Sequence, residues 1–237
     1  YRGQLSKEAP TLADIFKSKG YGTGMLGKWH LTVHDKSSTQ TRLYPCDRGF
    51  DHFYGTWWGA KDYFKPKFMM KNHDLIDDNT KYPDDFYLTH ALSDSAIEFV
   101  EAQNDQKNPF FLYLAHYAPH APIQAPEERI QKCLERYKPG FVKLQQARFE
   151  RQKKLGVVPK NAVLRNQAGS WKKLAAQQKN TWMRTMATYA AMIEIMDDGI
   201  GQLIDVLKKN GQYENTLIVF LSDNGSTPER KNVGAHL

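Results

Sequence analysis

Residues 20–31, GYGTGMLGKWHL, decide the fold of this chain and place its first candidate site residues. They follow a short segment whose apolar residues repeat with helical spacing and which begins after Thr11, a residue type that caps helix N-termini. The glycine that opens the stretch is typical of the residue that ends a helix. Residues 21–26 then have the composition of a short strand, which runs directly into Lys28 and His30. The stretch therefore predicts a helix, a strand and a polar strand exit in succession.

Two further apolar runs have the length and composition of buried strands. Residues 110–115 read FFLYLA and residues 216–221 read TLIVFL, without the polar alternation of a sheet that faces water on one side. Helical periodicity marks residues 86–103 and, most clearly, residues 182–209. Helices that alternate with short apolar strands predict an α/β domain with a largely parallel sheet. In such sheets, functional groups gather beyond the carboxyl ends of the strands.

The segment between the first strand and the first long helix is less regular. Residues 31–85 are rich in aromatic residues, Gly and Asp, and their weak periodicity predicts long loops with short strands. Residues 53–59, FYGTWWG, concentrate four of the aromatic side chains. We predict that these side chains pack in the core, and a sugar-stacking wall is the alternative.

A basic segment is inserted into this pattern. Residues 127–180 contain 14 Lys and Arg against 4 Asp and Glu, whereas the whole chain has a net charge of +7. We interpret residues 127–181 as a mainly helical insertion with loops near Gly140, residues 156–159 and Gly169. The charge excess is typical of a solvated helical surface, and the alternatives are binding of a sulfated glycan or of nucleic acid. Nucleic-acid sites combine basic residues with stacking aromatics, which are widely spaced here, so we predict no nucleic-acid partner.

Length and composition exclude several classes of protein. With 237 residues, of which 41% are hydrophobic, one large domain spanning residues 1–237 is the simplest expectation. No run approaches 18 consecutive apolar residues, so we predict no membrane span. The two cysteines, Cys46 and Cys133, are too few for a disulfide framework and do not form a CxxC metal pair.

Polar side chains at the predicted strand exits suggest a common chemistry. Asp223 and Asn224 offer hard oxygen ligands, which suit Ca²⁺ or Mg²⁺. Lys28 is a compact cation that suits a tetrahedral oxyanion. His30 and His120 exchange protons near neutral pH. A hard cation, an ammonium group and two imidazoles together predict a site that cleaves a sulfate or phosphate ester.

Four segments, in one order, resemble motifs of the sulfatase family. Residues 20–31 resemble the family signature G-Y-x-T-x-x-x-G-K-W-H-L, and residues 47–55, DRGFDHFYG, resemble its R-G-F-D-x-F-Y-G segment. Residues 118–122, APHAP, resemble its A-P-H-x-P loop, and residues 222–225, SDNG, resemble its metal-binding turn. The resemblance runs from about residue 11 to residue 225.

This resemblance implies an alkaline-phosphatase-like α/β/α sandwich with a largely parallel central sheet, incomplete at both ends in this chain. It implies a sulfuric ester hydrolase that uses Ca²⁺, with Mg²⁺ as the alternative, and a formylglycine nucleophile made from Cys or Ser. Lys28 would bind the sulfate, His30 would assist sulfate release, and His120 would help to protonate the leaving group. Asp223 and Asn224 would be Ca²⁺ ligands. The expected substrate is a sulfated small molecule or a sulfated glycan.

The chain departs from the family pattern at the nucleophile. Cys46 precedes Asp47 and Cys133 precedes Leu134, so neither matches the family motif C/S-x-P-S/A-R. We therefore expect the nucleophile to lie outside this chain and the chain alone to be inactive. The resemblance also implies a periplasmic or secreted parent protein. The alternatives are a related phosphodiesterase or phosphonate hydrolase, or a catalytically incomplete fragment that acts only as an anion-binding module.

Overall fold

A computed structural model describes residues 5–33, 42–164 and 171–225. The backbone divides into two units, Tyr1–Pro122 with Ile193–Arg230, and Ile123–Met192 with Lys231–Leu237. In chain order the strands are β1 (Gly22–Lys28), β2 (His52–Thr56), β3 (Met69–Lys71), β4 (Asp74–Leu75) and β5 (Phe110–Ala115). The helices are α1 (Leu12–Lys17), α2 (Leu88–Asp105), α3 (Glu127–Tyr137), α4 (Phe141–Lys154) and α5 (Ala176–Lys209).

The first unit is organised around β1. The five-stranded sheet has the order β4-β3-β2-β1-β5, and β1 pairs in parallel with both β2 and β5. The other two pairings, β2 with β3 and β3 with β4, are antiparallel. The predicted α/β class is confirmed, and the sheet is mixed because β3 follows β2 through a loop and β4 follows β3 through a turn, without helical crossovers.

Helix α1 begins where the sequence predicts. The Asp14 backbone N–H donates to the Thr11 hydroxyl oxygen at 3.1 Å, and the Thr11 N–H donates to the Asp14 carboxylate at 2.8 Å. This reciprocal pair is a capping box, which satisfies two backbone donors that a helix start leaves free. Gly20 lies just beyond the helix with φ of 82°, a conformation that costs glycine little. The chain then turns directly into β1.

Two glycines allow close backbone approach at the carboxyl end of the central strands. Gly27 has φ of 117°, and a Cβ atom there would lie 1.8 Å from the Ala115 carbonyl oxygen of β5. A Cβ atom on Gly55 of β2 would lie 1.9 Å from the Gly27 carbonyl oxygen. Glycine is required at both positions because any side chain would overlap the backbone of the adjacent strand.

Apolar side chains cover both faces of β1. One cluster contains Met25, Phe53 and Met70, each fully buried. A second cluster joins α2 and α5 to the sheet, with Phe99 of α2 and Leu207 of α5 buried against β5. These two layers fix the central strands, and they therefore fix the positions of the residues that follow them.

The strand predicted at residues 216–221 is not formed. The segment has no strand pairing in the part of the chain that the structure describes, and its side chains are exposed, with Leu217 at 90%, Val219 at 70% and Phe220 at 77%. The prediction was wrong because apolar composition does not provide the neighbouring backbone that a strand needs for its hydrogen bonds. β5 ends the described sheet on one side.

The helical predictions differ from the structure mainly at their ends. Helix α2 begins and ends two residues later than predicted, and α5 begins six residues earlier. Residues 176–192 of α5 belong to the second unit and residues 193–209 belong to the first. In the basic segment, α3 and α4 are separated at Gly140, and Gly169 lies outside the described residues. No described helix is long and apolar enough to cross a membrane.

Candidate functional site

The candidate site lies where β1 and β5 end. Gly27 pairs with Ala115 in the parallel ladder, so the residues that follow these two strands emerge at one edge of the sheet. Lys28 is the last residue of β1. His120 lies in the loop after β5, between the cis peptide bonds that precede Pro119 and Pro122. The fold thus brings together two site residues that are far apart in sequence.

Lys28 is a half-buried cation that rests against an aromatic ring. Its Nζ lies 5.3 Å from the centroid of the Tyr117 ring, a distance at which the ring face attracts a cation. Burial lowers the pKa of the Lys28 ammonium, and the nearby Asp223 carboxylate acts in the opposite direction. Burial removes water from the ammonium group and so disfavours its charged form relative to the neutral amine. An anion at this position would be bound more strongly than at a solvated lysine for the same reason.

His30 is held in an unusual backbone conformation. Its φ is 56°, a left-handed value that costs a residue with a side chain about 1 kcal/mol or more. The His30 N–H donates to the Trp57 carbonyl at 3.2 Å, and its imidazole meets the Trp58 ring edge-on with centroids 4.2 Å apart. These contacts hold the imidazole in place after β1, so that it does not depend on substrate for its orientation.

His120 is exposed, but its loop is well anchored. Its N–H donates to the Tyr117 carbonyl at 3.0 Å, and its own carbonyl accepts from the Tyr63 hydroxyl at 2.8 Å. The Nδ1 atom lies 2.7 Å from the Ala121 carbonyl oxygen. A carbonyl oxygen only accepts, so Nδ1 carries the hydrogen and Nε2 of the neutral ring is left as the acceptor. His120 therefore presents one nitrogen that can take up and return a proton.

Tyr117 connects the two residues and was not identified from the sequence. Its ring centroid lies 5.2 Å from that of His120 and 5.4 Å from that of Tyr63, while Lys28 approaches the same ring. The only sequence signal for Tyr117 was its position one residue before the Ala-Pro-His loop. Tyr63 had no signal, because its role depends on a contact across 57 positions of sequence.

The predicted metal ligands form an incomplete donor set. Asp223 and Asn224 are exposed, and the Asn224 amide donates to the Gly225 carbonyl at 2.8 Å. Ca²⁺ takes six to eight oxygen ligands, whereas within the described ranges no group of three or more His, Cys, Asp or Glu residues is placed to hold a metal ion. The described residues therefore do not by themselves fit a Ca²⁺ or Mg²⁺ site. Electrostatic influence on Lys28 and Tyr113 is what links Asp223 to the site.

The aromatic residues at positions 53–59 and the two cysteines are buried or half-buried. Phe53 and Trp57 are buried in the core, which agrees with core packing for two of the four rings, while Tyr54 and Trp58 are half-buried and Trp58 lies beside His30. Cys46 and Cys133 form no disulfide in the described part of the chain. Burial raises the pKa of Cys46 to about 11, so little thiolate forms near neutral pH.

Comparison with known proteins identifies the family. A family model described as Sulfatase matches residues 1–237. The chain belongs to the sulfatase family. An arylsulfatase of Klebsiella aerogenes is 33% identical over 237 residues, which cover 96% of this chain and 50% of that protein. An uncharacterised sulfatase of Schizosaccharomyces pombe is 34% identical over 244 residues, which cover 95% of this chain and 42% of that protein. This sulfatase chain thus spans half or less of the length of these relatives.

Solved structures share the fold of this chain. Ps i-CgsB in complex with k-i-k-neocarrahexaose has 27% identity and a TM-score of 0.56, and the match covers 91% of this chain and 40% of that one. The putative sulfatase yidJ from Bacteroides fragilis has 25% identity and a TM-score of 0.58, with 90% and 43% covered. The fold of this sulfatase chain is therefore alkaline-phosphatase-like, as its motifs implied.

Proposed function

We propose that this chain forms the sulfate-binding and leaving-group part of a sulfuric ester hydrolase of the arylsulfatase type. The observation that carries the proposal is the placement of Lys28 and His120 against one ring, Tyr117, at the shared carboxyl end of β1 and β5. An ammonium group and an imidazole at one strand edge suit an ester whose charge increases on the leaving oxygen as the bond breaks.

The three basic side chains have separate roles in this proposal. Lys28 binds the sulfate oxygens, because its partly desolvated ammonium group attracts an anion strongly. His120, protonated at Nε2 in the substrate complex, gives that proton to the leaving oxygen while Nδ1–H stays on the Ala121 carbonyl. His30, fixed by Trp58, assists release of sulfate.

The nucleophile and the metal require groups besides those described above. Neither cysteine lies in the Pro-containing motif whose Cys or Ser is converted to formylglycine. The raised pKa of Cys46 also makes its thiol a poor direct nucleophile. We propose that a formylglycine elsewhere in the protein supplies the attacking oxygen. We also propose that Asp223 and Asn224 contribute to a Ca²⁺ site, or a Mg²⁺ site, that further oxygen ligands complete. When bound, such an ion would stabilise negative charge on the sulfate.

The proposed substrate is a sulfated small molecule or a sulfated glycan. The solved relative that holds k-i-k-neocarrahexaose supports an oligosaccharide scaffold, and the arylsulfatase relative supports a sulfate ester as the reacting group. A periplasmic or secreted location and the absence of a nucleic-acid partner stay predictions.

The test compares substitutions in the complete protein with 4-nitrophenyl sulfate as substrate. Lys28→Gln and His120→Gln should each lower kcat/KM by about 100-fold or more, as expected for loss of an anion-binding or proton-transfer group. Lys71→Gln, at the exposed end of β3, is the matched control and should change kcat/KM by less than about twofold. Faster hydrolysis of bis(4-nitrophenyl) phosphate than of the sulfate would favour the phosphodiesterase alternative. Measurable turnover by the 237-residue chain alone would refute the proposed external nucleophile.

A further inference from the structure

Helix α4 in the second unit carries exposed cations without an acidic partner among the residues that the structure describes. Lys143, Arg151 and Lys154 are exposed, and in a helix their spacing of eight, three and eleven residues places them on neighbouring parts of one face. Among the described residues none of the three has an ion-pair partner. Glu150 is the one acidic residue in the sequence of α4.

The neighbouring helix α3 differs in this respect. Lys132 lies 2.6 Å from Glu128, and Lys138 lies 2.5 Å from Glu135. These cations are partly neutralised within their own helix, so they add less to the external field than the three on α4. The three cations of the α4 face therefore act on an external anion with less neutralisation than Lys132 and Lys138.

Helix α4 also contributes little to the packing of the second unit. None of its residues is buried, whereas α3 buries Ile130 and Cys133. A helix whose apolar contacts are few usually depends on other interactions for its stability. An exposed face with unbalanced charge gains most from a partner of opposite charge.

Four aromatic rings on and beside α4 are already in contact with other side chains. Phe141 and Trp171 stack on each other with centroids 4.5 Å apart and an interplanar angle of 27°. The Lys153 ammonium lies 4.6 Å from the centroid of the Phe149 ring, and Tyr137 packs edge-on against Phe141. Single-stranded nucleic acid needs free rings on which bases can stack. These contacts favour a polyanion that binds through charge without stacking.

We propose that the α4 face, formed by Lys143, Arg151 and Lys154, is a binding surface for a sulfated polysaccharide. The polymer binds through ion pairs between its sulfate groups and the three cations, separately from any bond cleavage. The choice of a sulfated polymer over other polyanions rests on the proposed function, since a glycan sulfatase would meet such a chain. Binding releases counterions, so it should weaken steeply as salt increases.

The test measures affinity for heparin by titration calorimetry at several salt concentrations. Lys143→Gln/Arg151→Gln/Lys154→Gln should weaken binding about tenfold at physiological salt, and should reduce the slope of log K against log salt by about 2 to 3. Circular dichroism checks that the helices persist, which is expected because the three side chains are exposed. Heparin from which the sulfate groups have been removed should bind weakly to the wild type.

The matched control removes the same charge from cations that have partners. Lys132→Gln/Lys138→Gln/Lys208→Gln replaces three lysines that lie in ion pairs, and it should change heparin affinity by less than about threefold. An equal loss in the control, or equal binding of desulfated heparin, would overturn the proposal. Tighter binding of a DNA duplex than of heparin would overturn it in favour of nucleic acid. The Lys143→Gln/Arg151→Gln/Lys154→Gln variant should keep the wild-type kcat/KM for 4-nitrophenyl sulfate, a substrate too small to reach the α4 face, so failure of the proposed hydrolase activity is distinguishable from failure of this surface.

Discussion

Replacement of His116 should make the protein more stable and less sensitive to acid. His116 follows β5 directly, and both of its ring nitrogens are buried without a hydrogen-bond partner among the described residues, although the residue as a whole is partly exposed. Burial lowers its pKa from the ordinary 6.5 to about 4. The imidazole is therefore neutral in the folded protein at any pH above that range.

The magnitude follows from the difference between the two pKa values. Between pH 6.5 and about 4 the unfolded chain binds a proton at His116 that the folded protein does not, so stability falls as the pH falls. Each pKa unit of difference corresponds to about 1.4 kcal/mol, so the free energy of unfolding should fall by about 3 kcal/mol in total once the pH is below the folded-state pKa. His116→Phe removes this loss. It also removes two unpaired polar atoms, which should raise the free energy of unfolding near neutral pH by about 1–2 kcal/mol.

The assay is urea unfolding, followed by tryptophan fluorescence, at a series of pH values between about 7 and about 4.5. The wild type should lose stability steadily over this range, with a smaller contribution of the same sign from His52, whose pKa burial also lowers. His116→Phe should flatten the profile. His90→Gln, which removes an exposed imidazole from α2, is the control and should keep the wild-type slope. An unchanged slope in His116→Phe, or a loss of stability at neutral pH, would refute the reasoning.

Three further predictions concern the sheet and the site loop. Gly27→Ala should lower the free energy of unfolding by more than about 2 kcal/mol, since its Cβ would lie 1.8 Å from a carbonyl oxygen of β5. Gly201→Ala on α5 is the control, because a Cβ atom there would have nothing within 4 Å. It should leave the free energy of unfolding unchanged or raise it by up to about 1 kcal/mol in chemical denaturation. An equal effect of the two substitutions would contradict the need for close backbone approach at Gly27. Leu217→Lys/Val219→Lys should reduce aggregation, measured by light scattering, with little change in the free energy of unfolding. The reason is that both side chains are exposed, at 90% and 70%. Unchanged aggregation would show that this apolar segment does not drive it. Tyr63→Phe removes a 2.8 Å hydrogen bond to the Ala-Pro-His loop, which should lower the free energy of unfolding by about 1 kcal/mol. Amide hydrogen exchange in the loop should become faster. Unaltered exchange would show that this hydrogen bond does not stabilise the loop.

Local features of the fold could be predicted from the sequence. The capping residue Thr11, the strand at residues 110–115 and the helical character of residues 182–209 depend on side-chain patterns within a few turns or a single strand. Such features are predictable because the residues that determine them are close together in sequence and repeat with the period of a helix or form a short apolar run. The ends of the helices shifted by a few residues, as local signals are weakest there.

The candidate site could be predicted only in part. Lys28 and His120 were assigned from motifs, and parallel strands explain why they come to one edge. Tyr117 and Tyr63 were missed because their contacts with His120 depend on where the loops fold, which no local pattern encodes. Asp223 was expected after a strand, yet it follows an exposed segment without pairing in the described residues.

The sequence by itself determined the family, the α/β class and the identity of the basic residues at the strand exits, because these follow from short motifs and from periodicity. Only the tertiary structure decided which apolar runs become strands. Residues 110–115 and 216–221 are similarly apolar, but only the first run has β1 beside it to accept and donate backbone hydrogen bonds. The tertiary structure also brought the Tyr117 ring close to both Lys28 and His120, since contacts between distant segments depend on packing rather than on local preference.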